Sequence, residues 1–301
     1  MASRLPQRIS VEYYRDMLRQ IRLMERLMQK AYAERIAPLI MKFEYEVQRE
    51  AEKELKTNAQ LLGGLSERLR QLHAYTLSQA SSELSLISLE IQRLFNIEFS
   101  TGIAKKFVNK INITDKKNIT QAVLQVGGRK AKTKIKAIKA LQDRGIDSIV
   151  QHSMKRNVGL IQSIPQQYFQ RVQEAIYDGL EKGTGTKELG KVISDIGGVT
   201  ERRGKFIARD QLASVHGDLT KKRQQNLGLK KFMWLTSKDE RVRDTHEALE
   251  GMIFEWDTGA SGPGVPAEMV GLVPGEDFNC RCTSTVVEDD IFEALDKIAE
   301  D

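Results

Sequence analysis

From Ser10 the apolar positions Tyr14, Leu18, Ile21, Met24, Met28 and Tyr32 recur at steps of three and four residues. That period places them on one face of a helix, which Pro38 should kink or interrupt because its ring displaces a helix-interior hydrogen bond. A second helix is predicted from Leu65 to Phe95, with Leu65, Leu69, Leu72, Leu84, Ile87, Ile91 and Leu94 apolar and Gly63-Gly64 separating it from the first. An antiparallel pair is the simplest way for two such helices to cover their apolar faces. No proline occurs from position 39 to 164, which permits long helices.

Between Gly127-Gly128 and Gly145, Ile135, Ile138 and Leu141 can share a helical face flanked by Lys130, Lys132, Lys134, Lys136 and Lys139. After Pro165, Tyr168, Val172, Ile176 and Leu180 predict a helix ending near Gly183, and Thr186 reads as the N-cap of the next. Gly185 to Lys191 has the G-x-x-x-x-G-K spacing of a phosphate loop. Val192 stands where Ser or Thr would hold magnesium and no strand precedes it, so helix capping accounts for the glycines. From about Lys230 the pattern changes, and Phe232, Trp234, Thr283, Thr285 and Val287 suggest short strands. Five glycines and three of the six prolines between Gly259 and Gly275 mark a long loop, of a kind that is usually functional or mobile.

The expected fold is therefore mainly α: a long helical amino-terminal and middle region followed by a small α+β module. The expected division is a helical hairpin or bundle over 1–100, a basic helical segment over 101–160, a helical segment over 161–231 and the α+β module over 232–301. At 301 residues, 40% hydrophobic and 29% charged, the composition excludes a disulfide-stapled miniprotein, a collagen and a disordered chain. The start, MASRLPQRIS, lacks the apolar core of a signal peptide, and no 18-residue apolar run predicts stable membrane insertion. The two cysteines, one residue apart, point to a reducing compartment.

The net charge of +6 conceals an asymmetry. Residues 101–160 carry 14 Lys or Arg against 3 acidic residues, whereas 232–301 carry 17 acidic against 5 basic. The basic stretch suits the phosphates of double-stranded DNA, met without sequence reading, and the acidic end suits a protein partner. Two solvated faces account for the same counts.

Two polar motifs flank the long loop. In Trp234 to Gly251, a helix capped by Ser237 or Asp239 would bring Arg243, His246, Glu247 and Glu250 together at helical spacing. In Pro274 to Cys282, an extended backbone presents Cys280 and Cys282 on one face and Arg281 on the other. Two thiolates and the imidazole of His246 supply three ligands of a tetrahedral zinc site, with Asp239, Asp244, Asp277, His216 or water as the fourth. The alternative is structural: small buried thiols, an Arg281 ion pair and a hydrogen-bonded His246.

The order A-R-D-Q at Ala208 to Gln211, W-x-T-x-x-D-x-R-V-R-x-x-H-x-x-L-x-G at Trp234 to Gly251, and P-G-x-D-x-N-C-R-C at Pro274 to Cys282 strongly resembles the phage Mu F-like minor head proteins. Asn157, Leu160-Ile161, Ile164-Pro165, Gly183 and Glu188-Leu189 extend the similarity to roughly 150–288. The resemblance implies a tailed-phage head morphogenesis protein made in the host cytoplasm. It would reside in the virion at the portal vertex or capsid interior, with the portal or major capsid protein as partner and a link to DNA packaging. It implies no established enzymatic role. It carries over Arg209, Asp210, Gln211, Trp234, Asp239, Arg241, Arg243, His246, Gly251, Asn279, Cys280, Arg281 and Cys282 as motif residues. The competing expectation is a metal-dependent hydrolase with Glu247 as base beside the His246, Cys280 and Cys282 centre.

Overall fold

The computed structural model describes residues 5–56 and 62–299. It is mainly helical, with one small sheet near the carboxyl end. Helix α1 (Gln7–Ala31) passes through a π-helical turn (Tyr32–Ile36) into α2 (Ala37–Lys56), so the interruption falls just ahead of Pro38. Next come α3 (Leu62–Leu94), α4 (Ile97–Thr133), α5 (Ile135–Leu141), α6 (Ile146–Lys182) and α7 (Thr186–Asn226). Strand β1 (Lys231–Leu235), the single turn α8 (Asp244–Glu247), β2 (Ile253–Glu255), β3 (Thr283–Val286) and α9 (Glu288–Lys297) complete the order.

The chain divides into two compact units. The first falls within Met1–Arg15, Thr101–Gly159 and Lys205–Asp301, and the second within Asp16–Ser100 and Leu160–Gly204.

The second unit is built on the predicted helical periodicity. Ile21, Met24, Met28 and Tyr32 are buried as expected, as are Leu84, Ile87 and Ile91 of α3 and Tyr168, Val172, Ile176 and Leu180 of α6. Helices α2 and α3 are antiparallel: Glu50 pairs with Arg68 and the Phe43 ring meets that of His73, while Arg35, just before α2, pairs with Glu83 and Glu90. Gly63 and Gly64 lie in the first turn of α3 rather than ahead of it. The Leu65 side chain lies outside the described set. Pro165 is inside α6, which begins at Ile146, and no strand precedes Gly185.

In the first unit the α1 face is one residue out of step with expectation. Tyr13 is buried, whereas Tyr14 is half-exposed, because Tyr13 stacks on Phe107 of α4 with ring centroids 3.9 Å apart. The sheet has the order β2-β1-β3 and is antiparallel throughout, pairing Phe232 with Phe254 on one side and Val286 on the other. Strand alternation sends Phe232 and Trp234 inward to Leu249, Phe254, Trp256, Met269 and both cysteines. A second core joins α4 and α5 to α9 through Ile119, Val123, Ile138, Ile291 and Leu295. Asp290 fixes α9 to the sheet, its Oδ2 accepting the backbone N–H groups of Lys230 and Lys231.

The basic stretch departs from a continuous helix. Gly128 has φ 53° and ψ −125°, and Lys134 interrupts the path between α4 and α5. Lys134 is 6% exposed, and its ammonium donates to the carbonyls of Leu295 at 2.8 Å and Ile298 at 2.5 Å. Lys134 is therefore an interior cap on α9 rather than one of the lysines that the basic stretch offers to DNA phosphates. Lys130 pairs with Asp296, while Lys132, Lys136 and Lys139 are exposed.

Candidate metal centre

Three devices form the site. The first is β1, which buries Trp234 and leads into a turn where Lys238 adopts φ 54°. The second is α8, shorter than expected, with Arg243 at its N-cap position and no side-chain cap from Ser237 or Asp239. It still buries His246 at 3% exposure. Gly251, at φ 78°, then turns the chain back, and its N–H donates to the Trp234 carbonyl at 2.8 Å. The third is the loop from Pro274 to Cys282, which feeds directly into β3.

That loop lies against α7 at contact distance. A Cβ on Gly217 would stand 2.5 Å from the Pro274 carbonyl oxygen, and one on Gly275 would stand 2.5 Å from that of Ala213. Only glycine at both positions permits this approach, and Gly275 also has φ +97°. The loop tip is held by a chain of side chains. Tyr13 Oη donates to Asn157 Oδ1 (2.9 Å), and Asn157 Nδ2 to Gln211 Oε1 (3.3 Å). Gln211 Nε2 donates to Asp210 Oδ2 (3.0 Å), and Asp210 Oδ1 accepts the N–H of Asn279 (2.9 Å). Asn279 itself is at φ 53°. The A-R-D-Q motif therefore positions the loop that carries the cysteines.

Cys280 and Cys282 are both buried and face His246 Nδ1, with sulfur distances of 3.7 Å and 3.3 Å. Nδ1 and the two sulfurs lie within 4.8 Å of one another, and this buried group can hold a metal ion. Arg281 points away to a two-pronged ion pair with Asp239, which also accepts the Arg241 N–H. Asp277 accepts from His246 Nε2 at 2.8 Å, on the ring edge opposite the sulfurs, and is itself paired with Arg243. Its role is to orient the imidazole. Asp239, committed to Arg281, and His216, beside Asp115 and Thr220, are not at the site, and neither is Asp244 among the clustered donors. A cavity of about 20 Å³ beside the three donors has room for one water.

The electrostatics favour a thiolate at Cys280. The hydrogen bond from Cys282 is foremost in drawing the Cys280 thiol down to about 5, helped by His246 and the backbone of Cys282 and Gly275 against the opposing effect of burial. The Cys282 N–H reaches Cys280 Sγ at 3.3 Å. Cys282 moves the other way, raised by the same shared hydrogen bond and by burial. The Trp234 indole N–H favours its thiolate. His246 is raised chiefly by its hydrogen bond to Cys280, which outweighs burial. Burial opposes ionisation of Asp277, but His246, the Phe278 N–H and Arg243 together hold it below the ordinary carboxylate range.

The other expected site residues lie apart. Arg209 lines a neighbouring cleft with Arg241 and Arg281. Glu247 is exposed in a separate acidic cleft and does not line the cavity at the three donors. Sequence reasoning overlooked Tyr13, Gly217 and Gly275. Gly217 gave no distinct signal, being one of five glycines in α7.

Residues 170–285 match the family model described as Phage Mu protein F like protein. An uncharacterized protein of Haemophilus influenzae is 43% identical over 133 residues, 44% of this chain and 28% of that protein. An uncharacterized protein of Methanocaldococcus jannaschii is 34% identical over 149 residues, covering 50% and 22% respectively. The NAD(+)–arginine ADP-ribosyltransferase EFV of Enterococcus faecalis is 31% identical over 139 residues, covering 42% of this chain and 28% of the transferase. The match thus spans less than a third of the length of each of these relatives. No solved structure matches the chain.

Proposed function

We propose that this chain, with its phage Mu F-like segment at 170–285, is a minor head protein of a tailed phage. Its carboxyl module is fastened by a structural zinc ion on His246 Nδ1, Cys280 Sγ and Cys282 Sγ. The observation that carries the reading is that the motif residues and the metal donors form one construction. Asp210 and Gln211 hold the loop, Trp234 underlies Cys282, and Arg243 holds the Asp277 that orients His246.

The donor set fits zinc. Tetrahedral bonds of about 2.3 Å to sulfur and 2.0 Å to nitrogen require N···S separations of about 3.5 Å. The separations of 3.3 and 3.7 Å bracket that value. A bound zinc would cross-link α8 to the entry of β3. Asp277 fixes the ring so that Nδ1 faces the sulfurs, and backbone N–H groups and the Trp234 indole stabilise the thiolates. The hydrolase alternative loses its base, since Glu247 faces the acidic cleft.

In this reading the protein works at the portal or the inner capsid, with the exposed lysines of 101–160 toward packaged DNA. Residence in the virion is tested by quantitative mass spectrometry of proheads, full heads and emptied particles. A low, fixed copy number per portal ring in proheads and full heads is expected, and absence from every particle overturns it. Metal analysis of the full chain should return one zinc per chain, lost in Cys282→Ser. A metal-free chain with an intact fold overturns the zinc assignment.

A further inference from the structure

The acidic carboxyl module contains a cationic concavity. A cleft of about 290 Å³ is lined by Arg209 of α7, Arg241, Arg281, Ser237 and Thr283, with Gln7 at the edge. It holds three guanidinium groups, and Asp239 is its one carboxylate. That carboxylate is already taken by both prongs of Arg281, and Arg241 approaches it only to 3.9 Å. Arg209 has no carboxylate within 4 Å among the described residues, and its Nε is buried without a hydrogen-bond partner. A guanidinium half-withdrawn from water with no counter-charge is costly unless something else supplies the charge.

We propose that this cleft binds a phosphate group. Two arginines not used up by Asp239, together with the Ser237 and Thr283 hydroxyls, offer more donors than the two oxygens of a carboxylate accept. A tetrahedral oxyanion, with up to four acceptor oxygens, matches them. The phosphate is one presented singly. Glu240, Asp244, Glu247 and Glu250 line the adjoining acidic cleft and repel an extended run of phosphates. Free phosphate or a phosphomonoester fits that setting, and a single DNA backbone phosphate shares the chemistry.

The test is equilibrium dialysis of the full chain against radiolabelled inorganic phosphate at fixed ionic strength. Saturable binding of one equivalent is expected, competed by sulfate and not by chloride. Arg209→Gln should weaken it at least about tenfold, the loss of charge-assisted hydrogen bonds. Arg209→Lys should recover part of the affinity. Arg241→Gln, on an exposed side chain, should weaken it less, by about threefold. That variant decides the matter if Arg209→Gln fails to fold, as judged by tryptophan fluorescence. Binding unchanged in Arg241→Gln and in folded Arg209→Gln, or no saturation up to about 10 mM phosphate, overturns the proposal. A second arm adds a 20-base-pair duplex as competitor. Displacement of the label identifies backbone phosphate as the source, and retention identifies a small phosphate; either result requires the site.

Discussion

Lys134→Met separates an interior cap from a surface charge. The ammonium donates to two carbonyls at the end of α9, where no following helical turn supplies donors. Methionine preserves the stem and its packing but leaves both acceptors buried and unpaired. Each unsatisfied acceptor costs about 1–3 kcal/mol, and relief from burying a charge returns part of that, giving a net loss of about 2–4 kcal/mol. Lys132→Met, two residues earlier and exposed, should change stability by less than about 0.5 kcal/mol. Urea unfolding followed by tryptophan fluorescence is the assay. Both tryptophans, Trp234 and Trp256, lie in one core cluster of the first unit and report on it directly. At a slope of about 3 kcal/mol per molar, the Lys134 variant should unfold about 1 M earlier. Equal midpoints for the two variants would show that Lys134 does not cap α9. The same pair reverses in duplex binding: Lys132→Met should flatten the salt dependence by about one phosphate contact, and Lys134→Met should leave it unchanged.

Asp277→Asn should lower zinc affinity about 10- to 100-fold in a chelator competition while Cys280 and Cys282 remain in place, and unchanged affinity would remove Asp277 from its orienting role. Gly217→Ala gains helix propensity yet drives a methyl to 2.5 Å from the Pro274 carbonyl, so thermal denaturation should show a net loss of about 1–3 kcal/mol, together with weaker zinc retention. His216 is fully buried, and burial lowers its pKa, with Arg223 adding to the effect and Asp115 opposing it. The unfolded chain therefore takes up a proton before the folded one. The stability from neutral His216 is fully present above its ordinary value of 6.5 and is lost as pH falls toward the depressed folded value, by at most about 1.4 kcal/mol per pH unit. Unfolding measured from pH 7.5 to 5.0 should show this slope in the native chain and a flatter one in His216→Gln.

Helical faces were legible wherever one apolar stripe met one neighbour. Met24, Met28, Tyr168 and Val172 illustrate it, because period alone decides which side of such a helix is dry. At the start of α1 it failed by one residue, since Tyr13 and Tyr14 are both plausible neighbours on the stripe and the stacking partner Phe107 comes from 94 positions away. The paired sulfurs were legible because alternation in an extended backbone places residues 280 and 282 on the same side. The ring edge that His246 turns to them was not, since it depends on a turn closed by Arg243 and Asp277. Lys134 was misread for a similar reason. Its side-chain class argues for water, and only the buried, otherwise uncapped carbonyl end of a helix 161 positions later argues otherwise.

The hydrogen-bonded chain from Tyr13 to Asn279 bears on how this region can travel between proteins. The stretch matched by the family model begins at 170, yet Tyr13 and Asn157 lie before it, and residues 170–204 fall in a different compact unit from 205–285. A fragment trimmed to 170–285 would expose the face of α7 that these residues cover and leave Gln211 Oε1 without its donor. Similarity along the chain and mechanical self-sufficiency thus have different borders here. A protein carrying only the equivalent of residues 170–285 must supply its own wall for that face, in whatever sequence it has available.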